Sequence, residues 1–136
     1  MTEELGGVPD GYLQRCESSM TGGAEAIEAM LKLEDRPTAV ARSTAAVAVG
    51  VSHGAHSRGT EVPARLSIIG FDDLMLARFS NPALTTLHMP TAEIVAEGVR
   101  MALEFVRDPA AGAHPSLKVF EPSLVQRAST GPPRTD

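Results

Sequence analysis

The sequence has no tryptophan, one tyrosine and four phenylalanines, so any core it builds is aliphatic and alanine-rich. A single cysteine, Cys16, excludes an internal disulfide framework and a zinc site built on cysteine pairs. Cys16 is therefore expected as a small buried thiol. Excess positive charge is also missing: 12 Lys and Arg stand against 17 Asp and Glu, giving a net charge of −5. The basic residues are scattered, with no run and no interleaved aromatics, which argues against a surface that displaces counterions from nucleic acid. No apolar run approaches the roughly 20 residues needed to span a bilayer. The first residues, Met1 to Gly7, carry neither the basic nor the apolar stretch of an export signal, so a cytoplasmic location is expected. The G-x-S-x-G, H-E-x-x-H, G-x-G-x-x-G and G-x-x-x-x-G-K-[ST] patterns are all absent. What is present is 136 residues, 43% hydrophobic and 21% charged, the size and composition of one globular domain.

Glycine and proline divide the chain into alternating segments. Gly6, Gly7, Pro9 and Gly11 form a turn cluster, and residues 12–16 after it read as a short strand. Ser19 to Thr21 offer helix caps, and from Gly23 the residues Ile27, Met30, Leu31 and Leu33 recur at helical spacing until Pro37. Gly22 and Gly23 suit a close helix approach better than a phosphate loop. Residues 38–41 form a short apolar strand, and Ser43 or Thr44 caps a second helix over 44–57. Residues 66–71 are nearly all apolar, the pattern of a strand buried on both faces in a parallel sheet. A strand over 84–89 precedes a helix over 91–107. Its two stripes, Val95, Val99, Ala102, Val106 and Ile94, Gly98, Met101, Phe105, demand cover over a wide arc. Residues 117–120 and 124–125 read as closing strands, and 131–136 as a disordered tail. The order β-α-β-α-β-β-α-β is an α/β pattern with parallel strands and right-handed crossovers.

Ligands of such sheets sit at the carboxyl ends of strands, where loops and helix N-termini converge. Three places qualify: Glu17 to Ser19, Ser43-Thr44 and Asp72-Asp73. Hydroxyls at the first two, and Asp73, also read as simple helix caps. Asp72 abuts the buried strand directly and is the best candidate for hydrogen bonding to a hydroxylated ligand. Adjacent carboxylates on a strand point to opposite faces, so Asp72 and Asp73 cannot form a catalytic dyad, and no enzyme is expected. His53 and His56 have the spacing of two metal ligands on a helix, but no carboxylate accompanies them, so neither a metal nor any other cofactor is expected.

Three motifs in order, V-P-x-x-L-S-I-I-G-F-D-D over 62–73, P-x-L-T-T over 82–86 and L-V-x-R-x-S-T over 124–130, resemble the LacI/GalR family of transcriptional regulators. Arg36-Pro37-Thr38-Ala39-Val40 and Ala48-Val49-Gly50 extend the likeness, which covers nearly the whole chain. The matching region is the later part of the family's effector-binding domain. The resemblance implies an incomplete, three-layer αβα, periplasmic-binding-protein-like subdomain over residues 1–130. It also implies a sugar- or nucleoside-like effector and a homodimer whose contacts run near residues 44–57 and 77–87. DNA binding would require the family's helix-turn-helix headpiece, which these residues do not include. Carried over position by position, the effector contacts fall on Asp72, which keeps the family's acid. They fall also on Thr44, which with Ala45 replaces an Asn-Asp pair, and on Ser18, which replaces an aromatic. A stand-alone or ABC-transport-type sugar-binding protein is the alternative reading.

Overall fold

The computed structural model describes residues 8–108 and 117–133. Four helices and four strands follow one another as α1 (Met20–Leu31), β1 (Ala39–Ala41), α2 (Ala45–His56), β2 (Ser67–Phe71), α3 (Met75–Phe79), β3 (Thr85–His88), α4 (Thr91–Arg107) and β4 (Ser123–Val125). The strands form one open sheet in the order β1-β2-β3-β4. Strands β1, β2 and β3 are parallel, with Val40 opposite Ile68 and Gly70 opposite Thr86. The fold is therefore the mixed α/β arrangement that the alternation of segments implied.

The core lies where α1 and α2 pack together and α2 lies on the sheet. Ile27 and Met30 of α1, Val47, Ala48, Val51 and Ala55 of α2, and Val40 and Ile68 of the sheet are all buried in it. Glycine lets the two helices approach backbone to backbone. A Cβ on Gly50 would stand 2.0 Å from the Met20 carbonyl oxygen, and one on Gly23 would stand 2.3 Å from that of Val47. The Gly22-Gly23 pair thus serves helix packing, as its context indicated. Helix α1 begins earlier than expected, because the Ser19 hydroxyl accepts from the Gly22 N–H at 3.0 Å and both glycines join the helix.

Several expectations are corrected. Residues 12–16 form a loop, not a strand: the turn Tyr12 N–H to Pro9 carbonyl and the left-handed Gly11 (φ 84°) bend the chain away from the sheet. Cys16 on that loop is exposed, not buried. Strand β4 runs antiparallel to β3, with Leu87 opposite Leu124, so the sheet is not wholly parallel. Residues 117–120 are not a strand; only Ser123–Val125 pairs with the sheet. Strand β2 is sealed on one face by Ile68 and Gly70, while Ile69 and Phe71 on the other are half-buried. Gly131, expected in the loose tail, is bound: its N–H donates to the Ser67 hydroxyl at 3.1 Å and its carbonyl accepts from that hydroxyl at 3.2 Å. Residues 134–136 of that tail, and Gly6 and Gly7 of the turn cluster, lie outside the described residues.

The L-V-x-R-x-S-T motif turns out to be a brace. Ser129, fully buried, donates its hydroxyl to the Ile68 carbonyl at 2.6 Å and accepts the Thr85 N–H at 2.8 Å, tying β2 to β3 from the side. Helix α4 spans the expected residues, yet none of its side chains is buried.

Candidate functional site

Because β1 and β2 are parallel, their carboxyl ends leave the sheet at one edge, and the chain there is held in a specific path. The Arg42 N–H donates to the Ile69 carbonyl at 3.0 Å, placing residue 42 beside the carboxyl-terminal half of β2. Two residues later the Thr44 hydroxyl accepts from the Val47 N–H at 3.3 Å and starts α2. Thr44 therefore acts as a cap, and its hydroxyl is already engaged.

A hollow of about 470 Å³ opens at this edge. Gln14, Arg15, Cys16 and Ser18 line it from the loop before α1, and Arg42 and Ser43 from the β1–α2 junction. Ser18 thus lies in the hollow, beside Ser43. Asp72 does not line it. It stands at the end of the neighbouring strand, half-buried and in the left-handed region (φ 78°). Asp73 follows it in the same region (φ 47°). Such backbone is uncommon for residues other than glycine, and Asp and Asn tolerate it best.

Arg42, which the sequence reading passed over, is the unusual residue of the hollow. Its guanidinium is partly buried, and burial lowers its pKa from the ordinary value. One terminal nitrogen approaches the Met30 sulfur at 3.6 Å, while the buried Nε has no hydrogen-bond partner. The sequence signal was a charged residue placed directly after the last strand residue, Ala41, and two positions after the buried Val40.

Asp73, expected as a helix cap or no more, caps nothing: α3 begins after Leu74 without a side-chain cap bond. Its carboxylate is 5% exposed and accepts from Arg127 Nη2 at 2.5 Å, with Arg78 at 3.8 Å and His88 Nδ1 at 3.5 Å. The Arg127 hydrogen bond, aided by the nearby charges, holds the Asp73 carboxyl below its ordinary value. Arg127 in turn donates to the Leu84 carbonyl at 2.8 Å, and the Asp73 N–H reaches the Thr86 hydroxyl at 3.4 Å. This network fixes the backbone on which Asp72 stands. Neither Asp73 nor Arg127 was foreseen in this role, since nothing local in the sequence links positions 54 residues apart.

His53 and His56 lie in the last turn of α2, both exposed. Among the described residues, no group of three or more His, Cys, Asp or Glu is placed to hold a metal ion. No helix of the described residues is long and apolar enough to cross a membrane.

Comparison with known proteins matches residues 3–130 to the periplasmic binding protein-like domain. The catabolite control protein A of Priestia megaterium is 36% identical over 106 residues, which are 78% of this chain and 32% of that protein. The ribose operon repressor of Escherichia coli is 38% identical over 87 residues, 64% of this chain and 26% of that protein. Among solved structures, a LacI transcriptional regulator from a Rhodococcus species superimposes with a TM-score of 0.76 at 32% identity, covering 86% of this chain and 42% of that one. The chain spans about a third of the length of the curated relatives it matches.

Proposed function

Since the chain belongs to the periplasmic binding protein-like domain family and its relatives are repressors of the LacI type, we propose that it is the effector-sensing and dimerising part of such a regulator. It binds a small sugar- or nucleoside-like molecule in the cytoplasm and catalyses nothing. One observation carries the reading: two parallel strands deliver Asp72 and the Arg42–Thr44 junction to the same edge of the sheet, where α2 begins. Ligands of open α/β sheets gather at such edges.

In this reading Asp72 accepts hydrogen bonds from ligand hydroxyls, on a backbone fixed by Asp73 and Arg127. Ser18 supplies a hydroxyl from the adjoining hollow, on the loop before α1. Thr44 contributes by placing the α2 N-terminus rather than by touching the ligand. Dimerisation is assigned to the segment around α3, where Met75 and Phe79 are 75% and 80% exposed.

The test is calorimetric titration of the chain with ribose and with nucleosides, repeated on Asp72→Gly and Asp72→Asn. Both substitutions suit the left-handed backbone, so a change in affinity reports the carboxylate and not strain. Loss of a hydrogen bond to a charged group costs about 1.5–3 kcal/mol, and Asp72→Gly is expected to lose that much. Unchanged affinity would assign Asp72 to the turn alone.

A further inference from the structure

The hollow at the β1–α2 junction carries a second message, about charge. Two arginines line it, and no carboxylate does. Neither Arg15 nor Arg42 has an ion-pair partner among the described residues, although other arginines of the chain do, such as Arg58 with Glu28, Arg100 with Glu97 and Arg127 with Asp73. The nearest acid in sequence to Arg15, Glu17, does not line the hollow, and its carboxylate accepts from the Ser19 hydroxyl at 3.4 Å. A partly buried guanidinium whose sole hydrogen-bond acceptor is a thioether is poorly compensated, because sulfur is a weak acceptor. Buried N–H groups without partners, such as Arg42 Nε, are rare and call for an explanation. Of the other lining groups, the Ser18 and Ser43 hydroxyls can donate to oxygen, while the Gln14 amide already gives an N–H to the Gly11 carbonyl at 2.7 Å.

We propose that this hollow receives an anionic group of the effector, a phosphate ester or a carboxylate, held by Arg42 and Arg15 with the Ser18 and Ser43 hydroxyls. The inference rests on the effector-site reading above and adds the chemical class of its ligand. An arginine fork matches the planar or trigonal array of oxygens on such groups, and its hydrogen bonds to them are charge-assisted. A neutral sugar would offer the partly buried Arg42 guanidinium no counter-charge. The charged sugar gives its accessible N–H groups oxygen acceptors where the protein offers only a thioether. Val47, at the back of the hollow, offers apolar contact to the carbon skeleton that carries the charge.

The experiment titrates the full chain with ribose, ribose 5-phosphate and ribonate, by calorimetry and by thermal shift, at low and at moderate salt. The two charged probes separate a phosphate source from a carboxylate source. At least one is expected to bind about tenfold tighter than ribose, an advantage of about 1.4 kcal/mol that shrinks as salt rises. Arg42→Gln should erase that advantage. Should Arg42→Gln fail to fold, Ser43→Asp and Ser18→Asp, both at exposed positions, place a negative charge in the hollow and should erase it equally. If ribose binds as tightly as its charged forms and depends on Asp72, the effector reading stands and the anionic inference falls. A charged probe whose advantage survives all three substitutions overturns it as well. If none of the three probes binds, the anionic inference falls, and the effector reading falls with it when nucleosides also fail to bind.

Discussion

Helices α2 and α4, both of which carry apolar residues at helical spacing, have opposite fates. Helix α2 is apolar nearly all round, and eight of its residues, among them Val47, Val51 and Ala55, are buried between α1 and the sheet. Helix α4 has the clear two-sided pattern, with charges on one face and Val95, Val99, Leu103 and Val106 on the other, yet it buries none of them. Its polar side is organised by an exposed ladder in which Arg100 bridges Glu97 and Glu104, and Lys118 adds to Glu97. An amphipathic stripe therefore states that a face needs a partner. It does not state that the partner lies within the same described structure. The glycines of α1 and α2 are the better marker of the packed region, because a Cβ there collides with backbone.

The contrast can be broken first by paired truncations. Ile68, fully buried in β2, should lose about 3–4 kcal/mol on change to alanine, as large-to-small core substitutions do. Val99→Ala, at a residue 54% exposed, should move stability by no more than about 0.5 kcal/mol. Urea unfolding of both variants decides it. Comparable losses would mean that α4 is covered in solution.

A second test concerns the seam between the two regions, where Arg127, following β4, reaches across to Asp73. The pair is 14% and 5% exposed, so removing one partner leaves a buried charge with only the more distant Arg78 and His88 near it. Arg127→Met should cost about 3 kcal/mol, toward the low end for a broken buried pair. The pH dependence has a definite sign. The Arg127 hydrogen bond, before any other cause, depresses the Asp73 carboxyl below 3.8. A carboxyl depressed on folding stabilises the fold above its unfolded-state value, and that contribution is lost as pH falls through the folded-state value. Wild-type stability should therefore drop below pH 3.8, and the drop should be shallower in Arg127→Met. Identical acid limbs would remove Asp73 from the stability of this seam.

How far the sequence alone could reach follows from where each signal is local. The alternation of helices and strands from α1 to α4, the caps at Ser19 and Thr44 and the helix bounds of α4 rest on short-range patterns and were legible, as was the edge position of Asp72. The antiparallel β4 was not, because three residues carry no directional signal and the pairing is fixed by the Ser129 brace on Ile68 and Thr85. Cys16 was misread because burial was inferred from residue type, whereas the Gly11 turn sets the loop on the surface. Arg42 and Arg127 were hidden for a related reason. An arginine reads as a surface charge until the fold shows which acid, if any, it meets.

The smallest effect on stability, and the sharpest on association, is expected at α4. Val95 and Val99 are one turn apart on its apolar face and are 58% and 54% exposed. Burying a valine fully is worth about 1.5 kcal/mol or more, so a contiguous face of several such residues gains by pairing with another surface. The wild-type chain should therefore self-associate, its sedimentation coefficient rising across a concentration series. The double change Val95→Lys with Val99→Glu should reduce that rise to what the α3 contact alone sustains. It should leave the unfolding midpoint almost unmoved, since neither side chain touches the core, and the new charges at i and i+4 are of opposite sign. Phe79→Glu on α3, where we place the dimer contact, supplies the control: if that change alone abolishes association, the pairing surface is α3 and not α4. A wild-type chain that sediments as a sharp monomer at every concentration would show that α4 has cover of its own, and the contrast between the two helices would fall with it.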